Sequence, residues 1–172
     1  DQKVSYTVEY YLEGSSAPTD TEILSAKKGT TVSARVKTYV GYCLNTQNSV
    51  KSITLDGSNI VLKLYYDVDA NGDSVPDKYQ KKVTFTVLNG KWNDGTKADK
   101  IVYVTLTLSG KCSTSGSGAL SSPAVDSKPD RDFKAGSWST TVPASVSGNA
   151  EAAYTYSYAF NPFKTVTVAF LT

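Results

Sequence analysis

Histidine and methionine are absent from this chain of 172 residues, and cysteine and tryptophan occur only twice each. Without an imidazole, neither a Ser-His-Asp triad nor a Cys-His pair can be assembled. The same lack, with no closely spaced cysteine pair, excludes a structural zinc site. Cys43 and Cys112 fall in different halves, too few for a disulfide framework, and are expected as two unpaired thiols. No glycine loop cradles a phosphate, because Gly110, Gly116 and Gly118 are not followed by a Lys-Ser/Thr helix. Charge of one sign is missing too: 18 Lys and Arg stand against 16 Asp and Glu, interspersed, with no basic stripe for nucleic acid. No apolar run approaches the roughly 18 residues of a membrane span. The chain opens on Asp1 with neither an initiator Met nor a signal peptide, and is expected to be a piece cut from something longer.

What is present is alternation. Val4, Tyr6, Val8 and Tyr10 alternate with Ser5, Thr7 and Glu9, the period-2 signature of a sheet with one buried face. Ile60, Leu62, Leu64 and Tyr66 repeat it. Between these runs, residues 52–60 read as a hairpin turning at Asp56-Gly57, and residues 27–32 as a turn feeding a short strand. Val83, Phe85 and Val87 restart the pattern, followed by the turn dipeptides Asn89-Gly90 and Asp94-Gly95. A long strand is expected over Ile101 to Leu108. Another carries Tyr154, Tyr156, Tyr158 and Phe160 on one face, and a last one lies within 161–170. A short helix is expected at either 119–126 or 32–38. The Ser/Gly-rich run 109–122 reads as a mobile loop. Both halves open on a Val/aromatic strand and close on a Tyr-rich one, a weak internal echo. The fold class is therefore mainly β, as two small domains in tandem: 1–66, an acidic linker at 67–80, and 81–172.

That linker concentrates oxygen donors, with Asp67, Asp69, Asn71, Asp73 and Asp77 around Gly72. Converging oxygens in a short loop are how a protein binds calcium. Two registers of a twelve-residue loop fit. The first uses Asp69, Asn71, Asp73, the Val75 carbonyl, Asp77 and Gln80. The second begins at Asp67 but places Lys78 where a bidentate acid belongs, and a cation there repels calcium. The first is preferred, although Ser74 replaces the turn glycine and Gln80 brings one neutral oxygen. Weak calcium binding and a plain polar linker both remain open.

The candidate acids lie in turns or in the linker, with no apolar pocket to raise a pKa for acid–base work, so no enzyme is expected. Trp92 and Trp138 each sit beside a turn. They either cap a small core or present an indole to a sugar. Residue types for a Lys–Asn isopeptide crosslink are present, but no spacing selects a pair.

The first half, through Tyr6-Thr-Val-Glu-Tyr-Tyr11, Lys27-Lys-Gly-Thr-Thr-Val32, Gly41-Tyr-Cys-Leu-Asn45 and Leu62-Lys-Leu-Tyr-Tyr66, resembles the mucin-binding-protein (MucBP) repeat. The second, through Phe85-Thr-Val-Leu-Asn-Gly-Lys-Trp92, Asn93-Asp-Gly-Thr96, Ala135-Gly-Ser-Trp138 and Tyr154-Thr-Tyr-Ser-Tyr-Ala-Phe160, is similar to the internalin B-repeat and SHIRT-type stalk domains of Gram-positive surface proteins. Cys43 stands where a Thr is commoner in the family. The resemblance implies small α+β, β-grasp-like domains in a secreted or wall-anchored protein. It implies a monomeric, non-enzymatic stalk or adhesion module beside neighbouring repeats, or one that binds host mucin or another glycan directly.

Overall fold

The computed structural model describes residues 2–109 and 116–162. Among them are twelve strands and one 3₁₀ turn, and no α-helix. The expected architecture, mainly β with two small β-rich bodies, is what the chain adopts. One compact unit comprises Asp1–Gln80 with Thr105–Ser117 and Ser147–Asn149. The other comprises Lys81–Val104, Gly118–Val146 and Ala150–Thr172.

The first unit is built on β1 (Lys3–Leu12), β2 (Asp20–Lys27), β3 (Thr31–Ser33), β4 (Tyr42–Leu44), β5 (Ser52–Thr54) and β6 (Ile60–Val68). Its main sheet has the order β2-β1-β6-β4, and β3 pairs with β5 in a two-stranded sheet. β1 and β6 run parallel over seven register pairs, from Tyr6↔Ile60 to Leu12↔Tyr66. β2 and β4 flank this pair in antiparallel sense. The period-2 pattern now has its cause: Tyr6, Val8 and Tyr10 of β1 and Leu62, Leu64 and Tyr66 of β6 point to one side and close a core with Leu55. The Tyr10 hydroxyl lies between the Arg35 carbonyl (2.9 Å) and Glu22 Oε2 (3.1 Å). Burial, reinforced by Glu22, pushes that phenol up to about 12.

The second unit uses β7 (Gln80–Leu88), β8 (Lys100–Thr105), β9 (Ser117–Ala119), β10 (Phe133–Trp138), β11 (Ser145–Ser147) and β12 (Ala152–Phe160). Its sheet order is β10-β12-β7-β8, with β9 beside β11. β7 and β12 are parallel over six register pairs, Ala152↔Val83 to Ser157↔Leu88. Each strand thus has a counterpart six places earlier. The first and last strands form a parallel centre, the second flanks the first, the fourth flanks the last, and the third pairs with the fifth. The core differs in composition: Val83, Phe85, Val87, Trp92, Val104, Leu120, Val146, Tyr156 and Tyr158.

Several local expectations change. Residues 52–60 are not a hairpin: β5 pairs with β3, while β6 pairs with β1 and β4. A three-residue partner offers β6 little, whereas β1 offers a long strand with its apolar residues in the same phase. Neither expected helix forms. In 32–38, the Ala34 amide bonds the Lys51 carbonyl (2.7 Å) and the Lys37 amide bonds the Tyr66 hydroxyl (2.9 Å), so these donors serve nonlocal partners. In 119–126, Pro123 forbids a regular turn, and Val125 forms a bridge with Trp92. The strand expected to reach Leu108 ends at Thr105. Part of the expected 109–122 loop is β9. Most of the strand expected within 161–170 lies outside the described residues, as does Cys112. Cys43 is a buried free thiol.

A bulge between Lys134 and Ser137 interrupts β10 where it crosses β12. There a Cβ on Gly136 would lie 1.6 Å from the Ser157 carbonyl oxygen, whereas one on Gly57 meets nothing within 4 Å. Gly136→Ala is expected to lower stability by about 1–3 kcal/mol, and Gly57→Ala to stay within about 0.5 kcal/mol of the parent. Urea denaturation midpoints check both.

Candidate functional site

The acidic segment begins inside β6. Asp67 is a strand residue, paired in register with Cys43, and is buried at 4% exposure. Burying a carboxylate requires partners. The Asp67 carboxylate receives a hydrogen bond from Asn45 Nδ2 and the Lys78 ammonium, the latter at 2.7 Å. Asn45, 1% exposed, also donates to the Tyr79 hydroxyl (3.0 Å), and its Oδ1 accepts the amides of Gln47 (2.9 Å) and Asn48 (3.2 Å). Every polar atom of this amide is therefore engaged. The Lys78–Asp67 ion pair also joins the first and last ligand positions of the second calcium register to each other.

The loop proper turns around Asp69. Its Oδ1 accepts the amides of Gly72 (2.8 Å) and Asp73 (3.1 Å), and its Oδ2 accepts that of Ser74 (2.9 Å). Gly72 and Ser74 both have positive φ, 72° and 68°. Ser74 takes the left-handed conformation at the position where a calcium loop calls for glycine. Asp73 Oδ1 accepts the Val75 amide (2.9 Å), while its Oδ2 receives Gln80 Nε2 (2.6 Å) and Asn71 Nδ2 (3.1 Å). Asn71 Nδ2 reaches Gln80 Oε1 as well (3.3 Å). Burial opposes ionisation of Asp73, but the bonds from Gln80, the Val75 amide and Asn71 outweigh it and hold its carboxyl below the usual range. Asp77 closes the loop by accepting the Ala70 amide at 3.2–3.3 Å. It then opens the 3₁₀ turn Asp77–Tyr79 that leads into β7.

Asn71, Asp73 and Gln80 are thus brought together, Asp69 organises the amides beneath them, and Asp77 pins the other side. Among the described residues, no three His, Cys, Asp or Glu side chains are grouped so as to hold a metal ion. Oxygens that would face a cation accept amide hydrogens instead. Cys43, near this acidic run, has its thiol pushed up to about 11 by burial and then by Asp69 and Asp67, which makes it a poor nucleophile.

The indoles lie elsewhere, in the second unit. Trp92 is fully buried, its Nε1 donating to the Ala98 carbonyl (2.8 Å). It offers no ring face to a sugar. Trp138 is half-buried, edge-on to Phe85 (5.7 Å between ring centroids) and Tyr156 (5.4 Å). Its remaining surface lines a shallow hollow with Ser122, Thr141 and Val142.

The Asn45–Asp67–Lys78 cluster, in which Asn45 and Asp67 are buried, was not foreseen from sequence. Asp67 and Lys78 read as linker residues, and only the pairing of β4 with β6 brings Asn45 to them.

No protein-family model matches the chain, and no curated protein matches it. The MucBP likeness therefore rests on the sequence motifs alone. A solved structure of the third and fourth Streptococcal High Identity Repeats in Tandem (SHIRT) domains of a cell surface protein is similar at 16% identity. The match covers 93% of this chain and 99% of that one, with a TM-score of 0.25. A superposition that loose carries no inference about fold or role.

Truncating one partner of the buried cluster tests its role. Lys78→Met should cost about 1–3 kcal/mol by leaving Asp67 undercompensated. Lys78→Met with Asp67→Asn should recover part of the loss. Chemical denaturation of the two singles and the double measures the coupling.

Proposed function

We propose that this chain is a non-enzymatic stalk or adhesion module of a bacterial cell-surface protein, located outside the cell and spacing or presenting a binding tip among neighbouring repeats. The observation that carries this reading is the recurrence of one strand topology in both units of a single chain. A chain that uses one small β design twice in succession is built as an array is built. The absence of histidine from the sequence, and the engagement of the buried polar groups in structural hydrogen bonds, support a role without chemistry.

A second reading, direct recognition of mucin or another glycan, is favoured by one feature, the partly open indole of Trp138 beside hydroxyl-bearing Ser122 and Thr141. Immobilised mucin and a glycan array separate the two. The spacer reading expects no saturable signal. A saturable signal lost in Trp138→Ala would replace it with the adhesin reading.

Calcium at Asp69–Gln80 belongs to the proposal as a weak structural ligand. To meet a cation, Asp69 and Asp73 must share oxygens that already accept loop amides. The expected affinity is therefore in the range of extracellular modules, about 10⁻⁴–10⁻³ M. Free calcium at threefold Kd would add about 0.8 kcal/mol, a shift of a few degrees in melting midpoint for domains this small. The measurement is the midpoint in millimolar calcium against chelator. An unchanged midpoint would leave the segment a self-closed polar turn.

A further inference from the structure

We infer that each unit is a mechanical clamp that resists tension applied along the chain, through shear of the parallel seam between its first and last strands. The inference follows from where the chain enters and leaves. In the first unit the strand path runs from the start of β1, its first strand, to the end of β6, its last. Because these strands are parallel and adjacent, the entry and exit lie at opposite ends of one seam. A pull on the two ends slides β1 against β6 and loads all seven register pairs together. An antiparallel pairing of the same strands would place entry and exit at one end, and the bonds would open one after another. Individual hydrogen bonds contribute little net stability, so the number that must yield at once sets the barrier to forced unfolding, a rate-governed process.

The seam is reinforced on both faces. On the core side, Tyr6, Val8 and Tyr10 pack with Leu62, Leu64 and Tyr66 and exclude water from the ladder. On the other side, the register partners Tyr11 and Tyr65 stack at 5.2 Å between centroids. The register partners Glu9 and Lys63 form an ion pair at 3.7 Å, and the Tyr11 hydroxyl donates to Glu9 at 2.6 Å. The tyrosine stack and the ion pair cross the line along which the strands would slide, and the Tyr11–Glu9 bond, within β1, orients both. The second unit repeats the device. β7 is its first strand along the chain and β12 its last, and the register partners Phe85 and Tyr154 stack across the seam at 5.8 Å.

The test changes only the direction of pull on the same folded protein. In the full chain with Cys112→Ser, and with Cys43 left in its buried site, handles are attached through exposed cysteines. Lys3→Cys with Val68→Cys pulls from opposite ends of the seam. Lys3→Cys with Ser58→Cys pulls from the same end. Single-molecule force spectroscopy should give an unfolding force several-fold higher for the first pair. Tyr65→Ala should lower that force clearly while changing the second little. Equal forces for the two geometries would overturn the clamp, whatever the mucin and glycan measurements show. Circular dichroism melts of each variant confirm that a folded unit is being pulled.

Discussion

The parallel pairing of first and last strands is the constraint from which the rest of each unit follows. Two parallel neighbours cannot be joined by a tight turn, so the chain must leave β1, build everything else, and return beside it. That connection is often a helix, which roofs the sheet and makes parallel strands apolar on both faces. Here the connection carries short strands and irregular segments, and the core lies on one side only. The central strands therefore keep the alternation ordinarily seen in antiparallel sheets. Tyr6, Val8 and Tyr10 face the core, while Thr7, Glu9 and Tyr11 form the other face. On that uncovered side, the stack of Tyr11 on Tyr65 and the pairing of Glu9 with Lys63 take over the task of holding the seam.

The same constraint is met twice with different materials. The first core is made of tyrosine, leucine and valine around Leu55; the second centres on Trp92, Phe85 and a tyrosine pair. Trp92 reaches its place through a single bridge to Val125 and an indole bond to Ala98, features without a counterpart among the described residues of the first unit. Large aromatics each bury about 150–250 Å², so a body this small closes with few of them and tolerates many arrangements. That freedom explains why the two halves share a strand order while their sequences echo each other only faintly.

Period-2 runs were legible in the sequence because sidedness is local: a strand with one buried face must alternate. Partners were not legible. Asp56-Gly57 announces a turn, and the chain bends at 57–59, but the strand after it goes to β1 because long-range matching of apolar phases outweighs the nearest neighbour. Helical expectations failed for related reasons, since Ala34 and Lys37 donate their amides across the fold and Pro123 breaks its segment. At the acidic segment, the oxygen-bearing residues were readable from spacing. The role of Asp67 was not, because its companion Asn45 arrives from β4 through tertiary pairing.

The acidic segment shows how one composition serves two physical demands. Carboxylates clustered in water repel one another, and a tight turn leaves several amides without partners. Directing each carboxylate to amides answers both, and here Asp69 alone gathers three. The same loop brings Asn71, Asp73 and Gln80 together through side-chain hydrogen bonds, with Gln80 buried beneath the other two. Under the proposed calcium role, affinity would be limited by competition for oxygens already in use. Ser74 limits it from the other side, since a side chain held at φ 68° is a standing cost that a glycine would avoid. The ion pair of Lys78 with Asp67 meanwhile ties together the two ends of the register that starts at Asp67. The segment is thus a structured turn first, and any calcium it took would have to draw on oxygens the turn already uses.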